Sequence, residues 1–141
     1  MKIIIDAMGG DLAPQAPVRG GLQAAKEFGV EVLFTGNEAA IRHVMKQDGY
    51  DELPAGVEIV NCTEVVDNCD DPSIVWRKKP DSSMTVGLKL LKASRGNAFI
   101  SAGSTGALLS GATLLVRRIR GVKRAAVAPS LPTGRGRAVL I

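Results

Sequence analysis

The chain has 141 residues, 45% hydrophobic and 23% charged, which suits a single packed core, and its two cysteines and one histidine, Cys62, Cys69 and His43, are too few and scattered for a metal centre. Charge is divided along the chain: all 14 acids fall at or before Asp81, against 8 Lys and Arg, whereas Ser82 to Ile141 carries 10 Lys and Arg and no acid. Such asymmetry calls for an anionic partner or for acids supplied from elsewhere, and the shortage of aromatics argues against a single-strand nucleic-acid platform.

Lys2 to Asp6 is the first predicted strand, too short an apolar run for a secretory leader, so both cysteines are expected as thiols in a reducing cytoplasm. Met8-Gly9-Gly10-Asp11 turns the chain, and a helix begins near Pro14 with Asp11 or a neighbour as its cap, ending at Gly29. Val30 to Thr35 is the second strand. Gly36-Asn37 then opens a helix in which Ile41, Val44 and Met45 share one face, while His43 points to solvent. Val57 to Cys62 is the third strand, followed by a polar loop with a short helical turn through Asp67, Asp70, Asp71 and Pro72, anchored by Trp76.

After Arg77-Lys78-Lys79-Pro80-Asp81, either Ser82 or Asp81 caps a helix with a Val86, Leu90 and Leu91 stripe that stops at Gly96. Ala98 to Ser101 is the fourth strand, and a helix from Ser104 or Thr105 runs to about Ile119. Ala98 to Val116 is uncharged over the length of a membrane span, but Ser101, Gly103, Ser104, Thr105 and Gly106 break it into strand, turn and helix. Two strand-like runs, Ala125 to Ala128 and Ala138 to Ile141, close the sequence, and the apolar ending reads as a truncated chain with an uncovered sheet face or edge. Strands alternating with helices predict an α/β fold, a mostly parallel sheet in three layers with crossover helices, formed by residues 1–141 as the N-terminal part of one domain.

Four segments can carry chemistry. Asp6-Ala7-Met8-Gly9-Gly10-Asp11 lies where open α/β sheets hold ligands, although a plain glycine turn capped by Asp11 explains it as well. Ser101-Ala102-Gly103-Ser104-Thr105-Gly106-Ala107 follows a strand and opens a helix, so free N–H groups and hydroxyls there suit phosphate or an oxyanion. It is neither the dinucleotide fingerprint nor the lysine-bearing phosphate loop. Arg77-Lys78-Lys79 leading to Ser82 and Ser83 can clamp an anion or serve only as solvated surface, and Arg117, Arg118, Arg120, Lys123 and Arg124 can dock an acidic protein or an anionic membrane.

Together the first three segments, in order, resemble the signatures of the PlsX-type acyl-ACP:phosphate acyltransferases. Arg118 to Arg124 and Ala128-Pro129-Ser130-Leu131-Pro132-Thr133 resemble that family too, and Ser104 stands where the family usually carries Asn. The resemblance covers less than half of a typical member. It implies a fold akin to the isocitrate and isopropylmalate dehydrogenases and to phosphotransacetylases, in a cytoplasmic homodimer working near the membrane, with a membrane glycerol-3-phosphate acyltransferase as a route to it. It further implies transfer of a fatty acyl group from acyl carrier protein to inorganic phosphate, without a cofactor, giving acyl phosphate for phospholipid synthesis.

Phosphate is itself the nucleophile in that reaction, so the absence of a Ser-His-Asp or Cys-His set fits it. The implied roles place Gly9, Gly10, Gly103, Ser104, Thr105 and Gly106 on phosphate or the oxyanion, Arg77, Lys78 and Lys79 as countercharge, and Ser82 and Ser83 as hydrogen-bond donors. Asp6 and Asp11 either orient this set or take a proton from phosphate. Two other classes stay open: a basic module that docks carrier protein or membrane, and a nicotinamide-dependent dehydrogenase, which the missing fingerprint disfavours.

Overall fold

The computed structural model describes residues 1–140. Four parallel strands, β1 (Lys2–Asp6), β2 (Glu31–Gly36), β3 (Val57–Asn61) and β4 (Ala98–Ile100), form a sheet in the order β3-β2-β1-β4. β1 sits in the middle, with Ile4 beside Leu33 of β2 and Phe99 of β4. Unbroken apolar runs such as Ile3-Ile4-Ile5 and Val32-Leu33-Phe34 belong in a parallel sheet covered on both faces, and Ile4, Val32, Leu33 and Phe34 are fully buried.

Helices α1 (Gln15–Phe28) and α2 (Glu38–Gln47) cover one face, where Val18, Leu22, Ile41, Val44 and Met45 pack with Ile5, Val32 and Phe34. On the other face α3 (Val75–Lys78), α4 (Ser83–Lys92) and α5 (Thr105–Gly111) assemble around Val66, Val75, Met84, Leu88 and Ala107. One sheet with an apolar layer on each side is the expected three-layer arrangement. Gly29, at φ 62°, ends α1 in the left-handed conformation that favours glycine. Asn37 caps α2 by accepting from the Ala40 N–H at 2.9 Å, and His43 is exposed, 3.0 Å from Gln47.

Several expectations need correction. No side chain caps α1: it starts after Pro14, and Asp11 is exposed on the preceding turn. Helix α4 turns Met84 and Leu88 to the core and leaves Val86, Leu90 and Leu91 half-buried, because the packed face is the one that carries 84, 87 and 88, and Val86 and Leu91, five residues apart, do not share a face. The helix ends at Lys92, with Ser94 at φ 58°, rather than at Gly96. Helix α5 is likewise shorter than expected: it passes into a π-helical turn, Ala112–Val116, and stops where Arg117 takes φ 79°.

No strand forms at Ala125 to Ala128. Instead β5 (Ser130–Thr133) pairs antiparallel with β6 (Gly136–Val139), a hairpin separate from the parallel sheet, because the two-residue turn at Gly134-Arg135 closes locally. Ile141, at the end of the expected last strand, lies outside the described residues. Among the described residues no helix is long and apolar enough to cross a membrane.

Candidate active site

The path from β1 to β2 runs toward one edge of the sheet and that from β3 to β4 toward the other. Right-handed crossovers in opposite directions must use opposite faces, so the chain parts between neighbouring β1 and β4. Open α/β sheets bind their ligands at such a switch point, outside the C-terminal strand ends. Here those ends are Asp6 and Ile100.

Asp6 is 2% exposed, and its carboxylate joins the two strand ends. One oxygen accepts from the Met8 N–H at 3.0 Å, and the other accepts from the Ser101 hydroxyl at 2.7 Å. The Ser101 oxygen in turn accepts from the Gly103 N–H at 3.1 Å, so a buried carboxylate on β1 sets the shape of the loop after β4. Gly9 packs into this junction. A Cβ there would lie 2.7 Å from the Asp6 carboxylate, 2.8 Å from the Gly103 nitrogen and 2.8 Å from the Ser101 hydroxyl oxygen, which only glycine avoids. Gly10, at φ 96°, lets the turn pass close to Ala102.

Ser104 caps α5 by accepting from the Ala107 N–H at 3.4 Å, and the first backbone bond of the helix runs from Leu108 N–H to Ser104 C=O. The Thr105 and Gly106 N–H groups therefore precede any intrahelical acceptor, and both residues are exposed. Pro72 lies over this turn, 3.1 Å from where a Gly106 Cβ would stand, and α3 packs against α5. The basic turn is thus brought to the α5 side of the site.

Within that turn the three cations differ. Lys79 is engaged: its ammonium sits 2.5 Å from Asp70 and donates to the Val65 carbonyl at 2.9 Å. This hydrogen bond, with a second from the Asp67 N–H, holds the Asp70 carboxyl below its ordinary value. Arg77 stacks on the Trp76 ring at 4.5 Å, while Trp76 donates to the Ser73 carbonyl at 3.0 Å, anchoring the loop as expected. Lys78 is exposed.

Ser82 rather than Asp81 caps α4. Its fully buried hydroxyl donates to the Lys79 carbonyl at 2.9 Å and accepts from the Thr85 N–H at 3.3 Å. Asp81 instead accepts from the hydroxyl and N–H of Thr63 at 2.6 and 2.9 Å, which lowers its carboxyl pKa. Ser83 is 1% exposed, and among the described residues its hydroxyl is the buried side-chain polar group with no partner. Nearby Cys62 is inert: burial, reinforced by the Asp81 charge, pushes its thiol up to about 11.

The structure therefore joins Asp6, Gly9 and Gly103 in one junction, and sets Gly10 beside it. Sequence reasoning counted the Ser101 hydroxyl only among those of the anion-binding segment, whereas the structure makes it the hub of the junction. The available signal was a hydroxyl at the end of a strand, two residues before a loop glycine. Among the described residues no cluster of His, Cys, Asp or Glu has the makings of a metal site.

A family model described as "Fatty acid synthesis protein" matches residues 1–141. The chain is 45% identical over 141 residues to a phosphate acyltransferase of Alkaliphilus oremlandii, aligning all of this chain with 42% of that protein. It is 44% identical over 142 residues to a phosphate acyltransferase of Thermoanaerobacter pseudethanolicus, again over its full length and 41% of the relative's. The chain thus spans about two fifths of the curated relatives that it matches. Its fold is similar to that of a phosphotransacetylase from Streptococcus pyogenes, with a TM-score of 0.67 and 19% identity over 99% of this chain and 45% of that one.

Proposed function

The chain belongs to the fatty acid synthesis protein family of phosphate acyltransferases, and we propose that it forms the phosphate-handling part of an enzyme that transfers a fatty acyl group from acyl carrier protein to inorganic phosphate. The observation that carries this reading is the Asp6–Ser101–Gly103 junction, which fixes a glycine loop and helix start at the switch point of the sheet.

In the proposed reaction a phosphate oxygen attacks the thioester carbonyl. A C–O bond forms, the C–S bond breaks, and the carrier leaves as a thiol with the proton that phosphate gives up. The protein's work is to position and to stabilise charge. The Thr105 and Gly106 N–H groups, with Gly103 and Ser104 shaping their loop, hold phosphate or the oxyanion, and Ser83 adds its free hydroxyl. Arg77 and Lys78 supply countercharge, joined by Lys79 once phosphate competes with Asp70. Asp6 orients the loop through Ser101, while Gly9 and Gly10 give it room and Asp11 stands on the adjoining turn. Ser82 contributes by holding the start of α4.

The product, acyl phosphate, feeds phospholipid synthesis in this reading, from a cytoplasmic homodimer close to the membrane and to a membrane glycerol-3-phosphate acyltransferase. The finer fold kinship, with isocitrate and isopropylmalate dehydrogenases, belongs to the same proposal. A second role is favoured by the exposure of Arg117, Arg118, Arg120, Lys123 and Arg124 in a half of the chain without acids: salt-sensitive docking of the acidic carrier.

The test is phosphate-dependent loss of long-chain acyl carrier protein, with acyl phosphate trapped by hydroxylamine, in this chain and in a form extended to the length of its relatives. Turnover is expected in the extended form, and Thr105→Ala and Lys79→Ala should each raise the phosphate concentration needed. An unchanged phosphate dependence in both variants would refute the assignment of those residues.

A further inference from the structure

Strand β4 is covered on one side only. There Phe99 packs against α4, so closely that a Cβ at Gly87 would lie 2.2 Å from its ring. On the opposite side Ile100 stands beside Ile5 in register, but the helical layer ends: α1 packs on β1 and β2, α2 on β3, and Ile100 is left 55% exposed. The gap is a cleft of about 600 Å³ between β4 and α1. Its α1 wall repeats small residues at four-residue steps, Ala16, Gly20 and Ala24, and the same ridge ends in Phe28, 69% exposed. The outer edge of β4 is open as well. Because the Asn97 N–H donates to the Lys2 carbonyl at 2.8 Å, alternation along the strand turns the N–H groups of Ala98 and Ile100 away from β1.

Parallel sheets bury both faces, and an edge strand with outward N–H groups is a template for another strand. Both deficits meet at β4, and one strand with its helix relieves both. The strand pairs with the outer edge, while the helix lies over Ile100 in the trough beside α1, where small side chains permit interaxial distances of roughly 8–10 Å. At the head of the cleft Asp6 and Ser101 already bond to each other, and neither a cation nor an aromatic ring lines it, so a protein element suits it better than a free anion or a base. Such an element has a source, since about three fifths of the length of the relatives lies outside the part aligned with this chain. We propose that this face is an intramolecular docking site, which receives a strand and a helix from the remaining length of the protein. The docking does not depend on acyl transfer.

The test compares the 141-residue chain with the form extended to the length of its relatives. Amide hydrogen exchange at Ala98 and Ile100 should be fast in the first, relative to Phe99, whose N–H faces β1, and slowed by about a hundredfold or more in the second. Gly20→Leu probes the trough. A Cβ there meets nothing within 4 Å, so leucine should hold or raise the melting temperature of the 141-residue chain through better helix propensity. In the extended form it should lower the melting temperature by about 4 °C or more, since the added bulk meets the docked helix. Gln15→Leu, exposed on the Arg19 side of α1, should leave each form within about 2 °C of its wild type. Equal exchange of Ala98 and Ile100 in the two forms, or a Gly20→Leu effect of the same sign in both, overturns the proposal. Protection that appears in the 141-residue chain as its concentration rises, and that Gly20→Leu abolishes, also overturns it and assigns the face to a second copy.

Discussion

Residues 1–111 and 117–140 follow opposite physical regimes. In the first region every strand finds a neighbour, both sheet faces are covered, and acids pair with nearby bases, as Arg19 does with Asp48 at 2.8 Å. In the second region every described residue is exposed, β5 and β6 pair only with each other, and seven bases face no acid of their own stretch. A two-stranded hairpin without a buried face is marginal in water. The contrast teaches that regular hydrogen bonding alone does not make a core; burial on a partner layer does.

The sharpest way to break that comparison is truncation of one apolar side chain in each region. Phe34→Ala, at a fully buried site between the sheet and α1, should lower unfolding free energy by about 3–5 kcal/mol in denaturant titration. Leu131→Ala, 46% exposed in the hairpin, should change it by less than about 0.5 kcal/mol. Equal effects would mean that the hairpin packs on something in solution.

An intermediate effect is expected where the first region carries its site. Ser101→Ala leaves the Asp6 carboxylate and the Gly103 N–H each short of a partner, which should cost about 1–3 kcal/mol in the same titration. A larger drop in phosphate-dependent turnover than in stability would distinguish a loop-positioning role from a purely structural one.

The smallest effect concerns the tether between Lys79 and Asp70. Because the Asp70 carboxyl is held below its ordinary value of 3.8, its contribution is fully present above that value and fades as pH falls through the lowered one. Trp76 fluorescence and hydrogen exchange in residues 64–72 should therefore hold steady at neutral pH and loosen below about pH 4. Asp70→Asn should remove the acid step and show the loosened signal at neutral pH.

How much was legible in the sequence follows the same division. The four parallel strands, the Gly29 and Asn37 helix boundaries and the buried Ile41-Val44-Met45 face rest on local patterns, and the structure has all of them. The face of α4 was not legible, since apolar residues at 84, 86, 88, 90 and 91 surround much of the helix and only packing around Gly87 decides which of them are buried. Nor was the early end of α5, because no proline or charge interrupts Ala112 to Val116. At the site, glycine turns and a capping serine showed themselves locally, whereas the Asp6–Ser101 bond and the pairing of Lys79 with Asp70 depend on tertiary placement.

That first bond closes over 95 residues, and its two ends lie on a central strand made first and an edge strand made far later. On the ribosome β1 can pair with β2 soon after both emerge, yet its other edge stays open until β4 has left the exit tunnel. The glycine loop thus gains its shape only at a late stage of synthesis, and a chain arrested before about residue 100 carries three of the four parallel strands and no site.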